Sequence, residues 1–115
     1  MARTYEVIFC IINAGFSDAA MSAARGVGAT GGTILKGRGT ASRRAEELFN
    51  ISIQPEKEIL MLLVPKEIKD DVLRALYYSV GLNTAGQGIA FSMPVERAIG
   101  LKDFAEQETD QIPEA

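Results

Sequence analysis

The chain has 115 residues, 47% hydrophobic and 23% charged, a size and mix that predict one soluble globular domain with one core. Its 12 Lys and Arg against 15 Asp and Glu leave a net charge of −3, which argues against general nucleic-acid binding. Histidine is absent and Cys10 is the single cysteine, so the commonest general base, the commonest metal ligand and an intrachain disulfide are all missing.

Thr4 to Ile12 is β-branched and aromatic and predicts a first strand, broken by Asn13-Ala14-Gly15. Ser17 or Asp18 is placed to cap a helix running to about Val27, with Ala20, Ala23, Ala24 and Val27 on one face. Gly28 ends it, and Thr33-Ile34-Leu35 predicts a short second strand. Residues 37 to 50 are polar and charged, with helical character expected over Arg44 to Phe49. Glu58 to Val64 predicts a third strand, and Pro65 is read as the first residue of a second helix. In that helix Ile68, Val72, Ala75, Leu76 and Val80 follow helical spacing. Asn83 to Gly88 is a glycine-rich loop, Ile89 to Met93 a fourth strand, and Pro94 to Leu101 an irregular or short helical segment. The tail, Lys102 to Ala115, is acidic, lacks an apolar pattern and is expected to be disordered. No apolar run reaches the roughly 18 residues of a membrane span. Glu6 interrupts what would be the apolar part of an export signal, so a cytoplasmic location is expected.

The order β-α-β-β-α-β predicts an α+β, ferredoxin-like fold: a four-stranded antiparallel sheet with two helices on one face and the first and third strands in its centre. A sheet with one wet face alternates apolar and polar residues. Val7 to Ile12 and Ile59 to Val64 do not alternate. Both faces of the sheet centre must therefore be dry, and the two helices cover one. A homo-oligomer is the simplest cover for the other; the chain's own loop or tail is the alternative.

The stretch "GATGGTILKGRGTASRR", Gly28 to Arg44, carries five glycines, four cations and no acid. It does not match the Walker A pattern. Gly37 and Gly39 let backbone N–H groups approach an anion, and Lys36 and Arg38 supply charge. Solvated cations around a simple turn are the alternative. The second loop, Asn83 to Gly88, is similar in kind. No nucleophile and base are nominated: Cys10 lies inside a strand, and Glu46-Glu47 and Asp70-Asp71 are adjacent acids that do not face each other on a helix. No enzyme activity, metal or cofactor is expected.

The segments "VGATGGTILKGRGT", "EILMLLVP" and "GQGIAFSMPVERAIGL", in this order, resemble the PII nitrogen-regulatory signal-transduction proteins over about Val7 to Leu101. The resemblance implies a cytoplasmic homotrimer of ferredoxin-like subunits that binds adenine nucleotides in the clefts between them. It also implies a mobile signalling loop, about residues 38–54, which contacts a target protein such as a membrane transporter or an enzyme. The domain is then 1–101 and the tail 102–115. Carried over residue by residue, Thr33, in the run Thr30 to Thr33, lies beside the adenine. Gly37, Arg38 and Gly39 form the base of the signalling loop near the phosphates. Gly86, Gln87 and Gly88 belong to the phosphate-facing second loop, and Lys102 to the C-terminal loop that begins over Val95 to Ile99. In a trimer the first of these loops is expected to meet the neighbour's second.

The chain departs from the family pattern too. Gln87 replaces an acid, Ile89 replaces a phosphate-binding lysine, and Gly100 and Lys102 stand where two arginines are usual. Residues 38 to 54 contain no tyrosine for modification. A PII-like, non-catalytic regulator follows, with a weaker or less phosphorylated ligand than ATP. Two alternatives remain: a stand-alone amino-acid-binding module of the ACT type, and a PII-like partner-binding protein with no nucleotide site. An RNA-binding module would need aromatics on the third strand, where "ILMLLV" has none. Neither nucleic-acid binding nor membrane insertion is expected.

Overall fold

The computed structural model describes residues 4–40, 47–48 and 55–100. The segment expected to signal, beyond Thr40, and the acidic tail with Lys102 lie almost wholly outside these residues. Four strands and two main helices form: β1 (Tyr5–Asn13), α1 (Ser17–Gly26), β2 (Gly32–Arg38), β3 (Glu56–Pro65), α2 (Lys69–Val80) and β4 (Ile89–Val95). They make one sheet in the order β2-β3-β1-β4, antiparallel throughout. This is the α+β arrangement expected, with β1 and β3 central.

Register divides the central strands into two faces, because directly opposed residues share a side. Ile8 pairs with Leu62 and Cys10 with Leu60 on the helix side. There Ile8, Cys10, Ile12, Leu60, Leu62 and Val64 are buried beneath the helices. From α1, Ala20, Met21 and Ala24 pack onto this layer; Ala23 and Val27, expected to join them, are half-buried. Small residues on that stripe let the helix backbone sit close to the sheet. From α2, Val72, Leu76 and Val80 recur every four residues and are fully buried. Each such side chain contributes about 1.5–3 kcal/mol relative to exposure.

Three local expectations are corrected. Neither Ser17 nor Asp18 caps α1: the cap position falls on Phe16, which makes no side-chain cap bond. The carboxylate of Glu58 holds the turn that leads into the helix, accepting from the Gly15 N–H at 2.9 Å and the Ser17 hydroxyl at 2.8 Å. Pro65 does not begin α2. It ends β3 with extended backbone, and a 3₁₀ turn over Lys66–Ile68 precedes the helix. The Lys66 N–H donates to the Thr4 carbonyl at 2.9 Å, tying that exit to the start of β1. Strand β2 runs on to Arg38 and β3 starts at Glu56, so the polar stretch Lys36-Gly37-Arg38 is paired sheet, not the start of a loop.

Candidate functional site

Neither α1 nor α2 covers the second face of the sheet. On it Val7, Phe9 and Ile11 of β1 oppose Leu63, Met61 and Ile59 of β3 and Met93, Phe91 and Ile89 of β4. Leu35 of β2 extends the row beyond Ile59. Phe9 stacks on Phe91 with ring centroids 5.5 Å apart. The outer members are left wet: Leu35 is 45% exposed, Phe91 43%, Met93 46% and Ile89 58%. Toward one end of this face Thr33 lines an apolar groove of about 550 Å³ with Val7, Gly31, Gly32, Met61, Leu63 and Val95.

The charged residues gather at the opposite end, where β1 and β2 finish and β3 and β4 begin. Lys36 and Arg38 project on the helix side of β2 and are exposed, whereas Gly37 falls on the open side opposite Lys57. Gly39 closes the end, its N–H donating to the Pro55 carbonyl. Gly86, Gln87 and Gly88 reach the same end from the other edge. Within one subunit, then, the two predicted loops share an end of the sheet but not a site. Two strands separate them, and three strand spacings amount to about 14 Å.

Asn13 and Lys57 occupy that interval, and reading the residues in sequence did not nominate either. The Lys57 ammonium donates to Asn13 Oδ1 at 2.6 Å. The other side of that amide donates to the Ala85 carbonyl at 3.0 Å and to Gln87 Oε1 at 3.3 Å. The Asn13 N–H also donates to the Gly86 carbonyl at 2.8 Å. Asn13 thus ties the second loop to the sheet. The only sequence signal was a lone polar residue ending an apolar strand.

The glycines of the second loop have packing roles. A Cβ on Gly88 would lie 2.4 Å from the Val80 carbonyl and 2.7 Å from Ile12 Cγ2, so no larger residue fits. The loop's N–H groups are turned inward: Gly86 donates to Thr84 Oγ1, Gln87 to the Thr84 carbonyl and Gly88 to the Val80 carbonyl. In this conformation none of the three is offered to an anion.

The cations of β2 are also differently placed than local sequence implies. No acid occurs between Arg25 and Ala45 in the chain, yet register sets Lys36 directly opposite Glu58 and Arg38 directly opposite Glu56. The carboxyl of Glu58 is held below its ordinary range, first by the Ser17 hydroxyl and the Gly15 N–H, with the Lys36 charge adding to them.

Metal-ligating side chains do not cluster among the described residues. No group of three or more Cys, Asp or Glu is arranged to hold a metal ion. Cys10 borders a small apolar cavity of about 160 Å³ beneath α2, where burial pushes its thiol up to about 11 and keeps it protonated at neutral pH. No described helix is long and apolar enough to cross a membrane.

No protein-family model matches the chain, and neither does any curated protein. Solved structures do. A PII-like signalling protein from Thermus thermophilus superposes with a TM-score of 0.62 at 18% identity, covering 83% of this chain and 90% of that one. The fold is that of the PII-like signalling proteins. Arabidopsis thaliana PII bound to citrate superposes with a TM-score of 0.59 at 20% identity, over 83% of this chain and 77% of that one. At such identities the likeness is one of PII-like architecture, and the chemistry must be argued from this chain's own residues.

Proposed function

We propose that the protein is a non-catalytic, PII-like regulator that assembles as a homotrimer, senses a small anionic ligand at the subunit clefts, and controls a partner protein through the segment 38–54. The observation that carries this reading is the open sheet face. It is as apolar as the helix-covered face, and leaving it wet would forfeit roughly 25 cal/mol for every Å² of apolar area. Copies of the same chain are the occupant that the PII-like resemblance favours. Such an assembly would set the cation-bearing end of β2 beside a neighbour's 83–88 loop, joining the two halves that one subunit keeps apart.

An adenine nucleotide is the first candidate ligand, and the citrate bound in the Arabidopsis PII structure supports trying a carboxylate beside it. Because the loop's N–H groups are engaged, Lys36 and Arg38 carry the anion contact in this reading, and the loop supplies shape. Arg38 is the first residue of the 38–54 connection, so an anion held there biases the order of that segment. Nitrogen regulation is the physiological setting that the resemblance implies.

Calorimetric titration with ATP, ADP and AMP tests the ligand half. Arg38→Ala should weaken binding by about 1.5–3 kcal/mol if the guanidinium pairs with a phosphate, while leaving the ligand-free melting temperature nearly unchanged. Unchanged affinity, or no binding at millimolar nucleotide, removes the nucleotide. The inward-turned N–H groups would then favour the second reading, a PII-like partner-binding protein whose β2 cations serve a protein surface.

A further inference from the structure

We propose that Glu56 and Glu58 are specificity-determining residues: built-in counter-charges that tune the β2 cations toward ligands of low charge, such as nucleoside monophosphates, and against polyphosphates. The inference rests on the reading of Lys36 and Arg38 as the anion-contacting cations and goes beyond it.

The ground is register. On the helix side of the β2–β3 end, two cations face two carboxylates, Lys36 opposite Glu58 and Arg38 opposite Glu56. Each pair has its β-carbons roughly 5 Å apart. Formal charge on that patch is zero, where the sequence of β2 alone shows +2. Glu58 cannot swing away without giving up the Gly15 N–H and the Ser17 hydroxyl, so its negative charge is fixed at that turn, within Coulomb range of Lys36. Glu56 is exposed at the start of its strand, and its backbone carbonyl is the group engaged, by the Ala14 N–H.

A phosphate approaching Arg38 therefore meets attraction and repulsion of similar size. The donors remain for directional hydrogen bonds, but the long-range Coulomb gain that grows with ligand charge is cancelled. A fixed unit charge about 10 Å from a ligand in water changes binding roughly twofold per ligand charge. The penalty from one carboxylate thus rises from about fourfold for a dianion to about sixteenfold for a tetra-anion. Two carboxylates in fixed register discriminate by ligand charge without touching the ligand.

The test is the ratio of ATP to AMP affinity in the full-length chain, measured by calorimetry in low salt for the wild type, Glu56→Gln and Arg38→Ala. Glu56→Gln keeps the strand backbone and removes one charge. It should raise ATP affinity more than AMP affinity, moving the ratio by about fourfold, and the shift should shrink at 0.5 M salt, where the Debye length is only about 4–5 Å. Glu58→Gln, which keeps an acceptor oxygen for Gly15 and Ser17, should shift the ratio in the same direction. If both nucleotides bind and are weakened by Arg38→Ala, but neither glutamine variant moves the ratio, this inference is overturned and the functional reading stands. If neither nucleotide titrates in any variant, both fall together.

Discussion

The two faces of the sheet are built from alternate residues of the same strands, and they are nearly equal in apolar character. One carries Ile8, Cys10, Leu60 and Leu62 beneath two helices; the other carries Val7, Phe9, Met61 and Leu63 beneath no described helix. The difference separates what folds the subunit from what it offers to other molecules. The helix-covered face is closed over β1 and β3 and leaves only its β2 margin wet at Ile34, whereas the open face leaves Leu35, Ile89, Phe91 and Met93 exposed. The site follows the same division, since the charges of β2 and the loop before β4 share an end of the sheet but lie at opposite edges.

Leu62 and Met61 are neighbours in sequence on opposite faces, and they give the largest contrast. Leu62→Ala should cost about 2–5 kcal/mol, a large part of a small domain's margin, as read from chemical denaturation. Met61→Glu should leave far-UV circular dichroism intact but yield monomers in light scattering, because a carboxylate buried between subunits costs several kcal/mol. Unfolding by Met61→Glu at concentrations where the wild type is already monomeric would contradict this division of labour.

Gly88→Ala comes next. It should destabilise by roughly 1–3 kcal/mol by forcing the 83–88 loop away from Val80 and Ile12, and should speed amide exchange at Gly86 and Gln87. The smallest effect is that of pH on Glu58. Its carboxyl titrates lower folded than unfolded, so its contribution is present above the unfolded value of about 4.3 and is lost as pH falls through the depressed folded value. Glu58→Gln should therefore reduce the acid lability seen below about pH 4.3 in denaturation curves.

Sequence pattern revealed the architecture because its signals are local or periodic. The apolar runs on β1 and β3 announced a sheet apolar on both sides, and the four-residue spacing of Val72, Leu76 and Val80 announced the covered face of α2. The site was less legible because it depends on pairs far apart in the chain. Glu58 stands 41 positions from Ser17, and that distance hid the real anchor of α1. Lys36 and Arg38 looked unneutralised until register set them against Glu58 and Glu56. Gly37 and Gly39 read as residues of an anion cradle or a simple turn, yet pairing with β3 carries β2 through Gly37 to Arg38. Asn13 looked like the end of a strand, and only its bonds to Lys57, Ala85 and Gln87 show it to be the joint of that end.

Whether further copies of this chain cover the open face decides the rest. It is read from the mass of the full-length protein by analytical ultracentrifugation across the micromolar range. One species at three times the 12.4 kDa subunit mass is expected. A single species of 12.4 kDa throughout that range would overturn the trimer and, with it, the shared site between subunits.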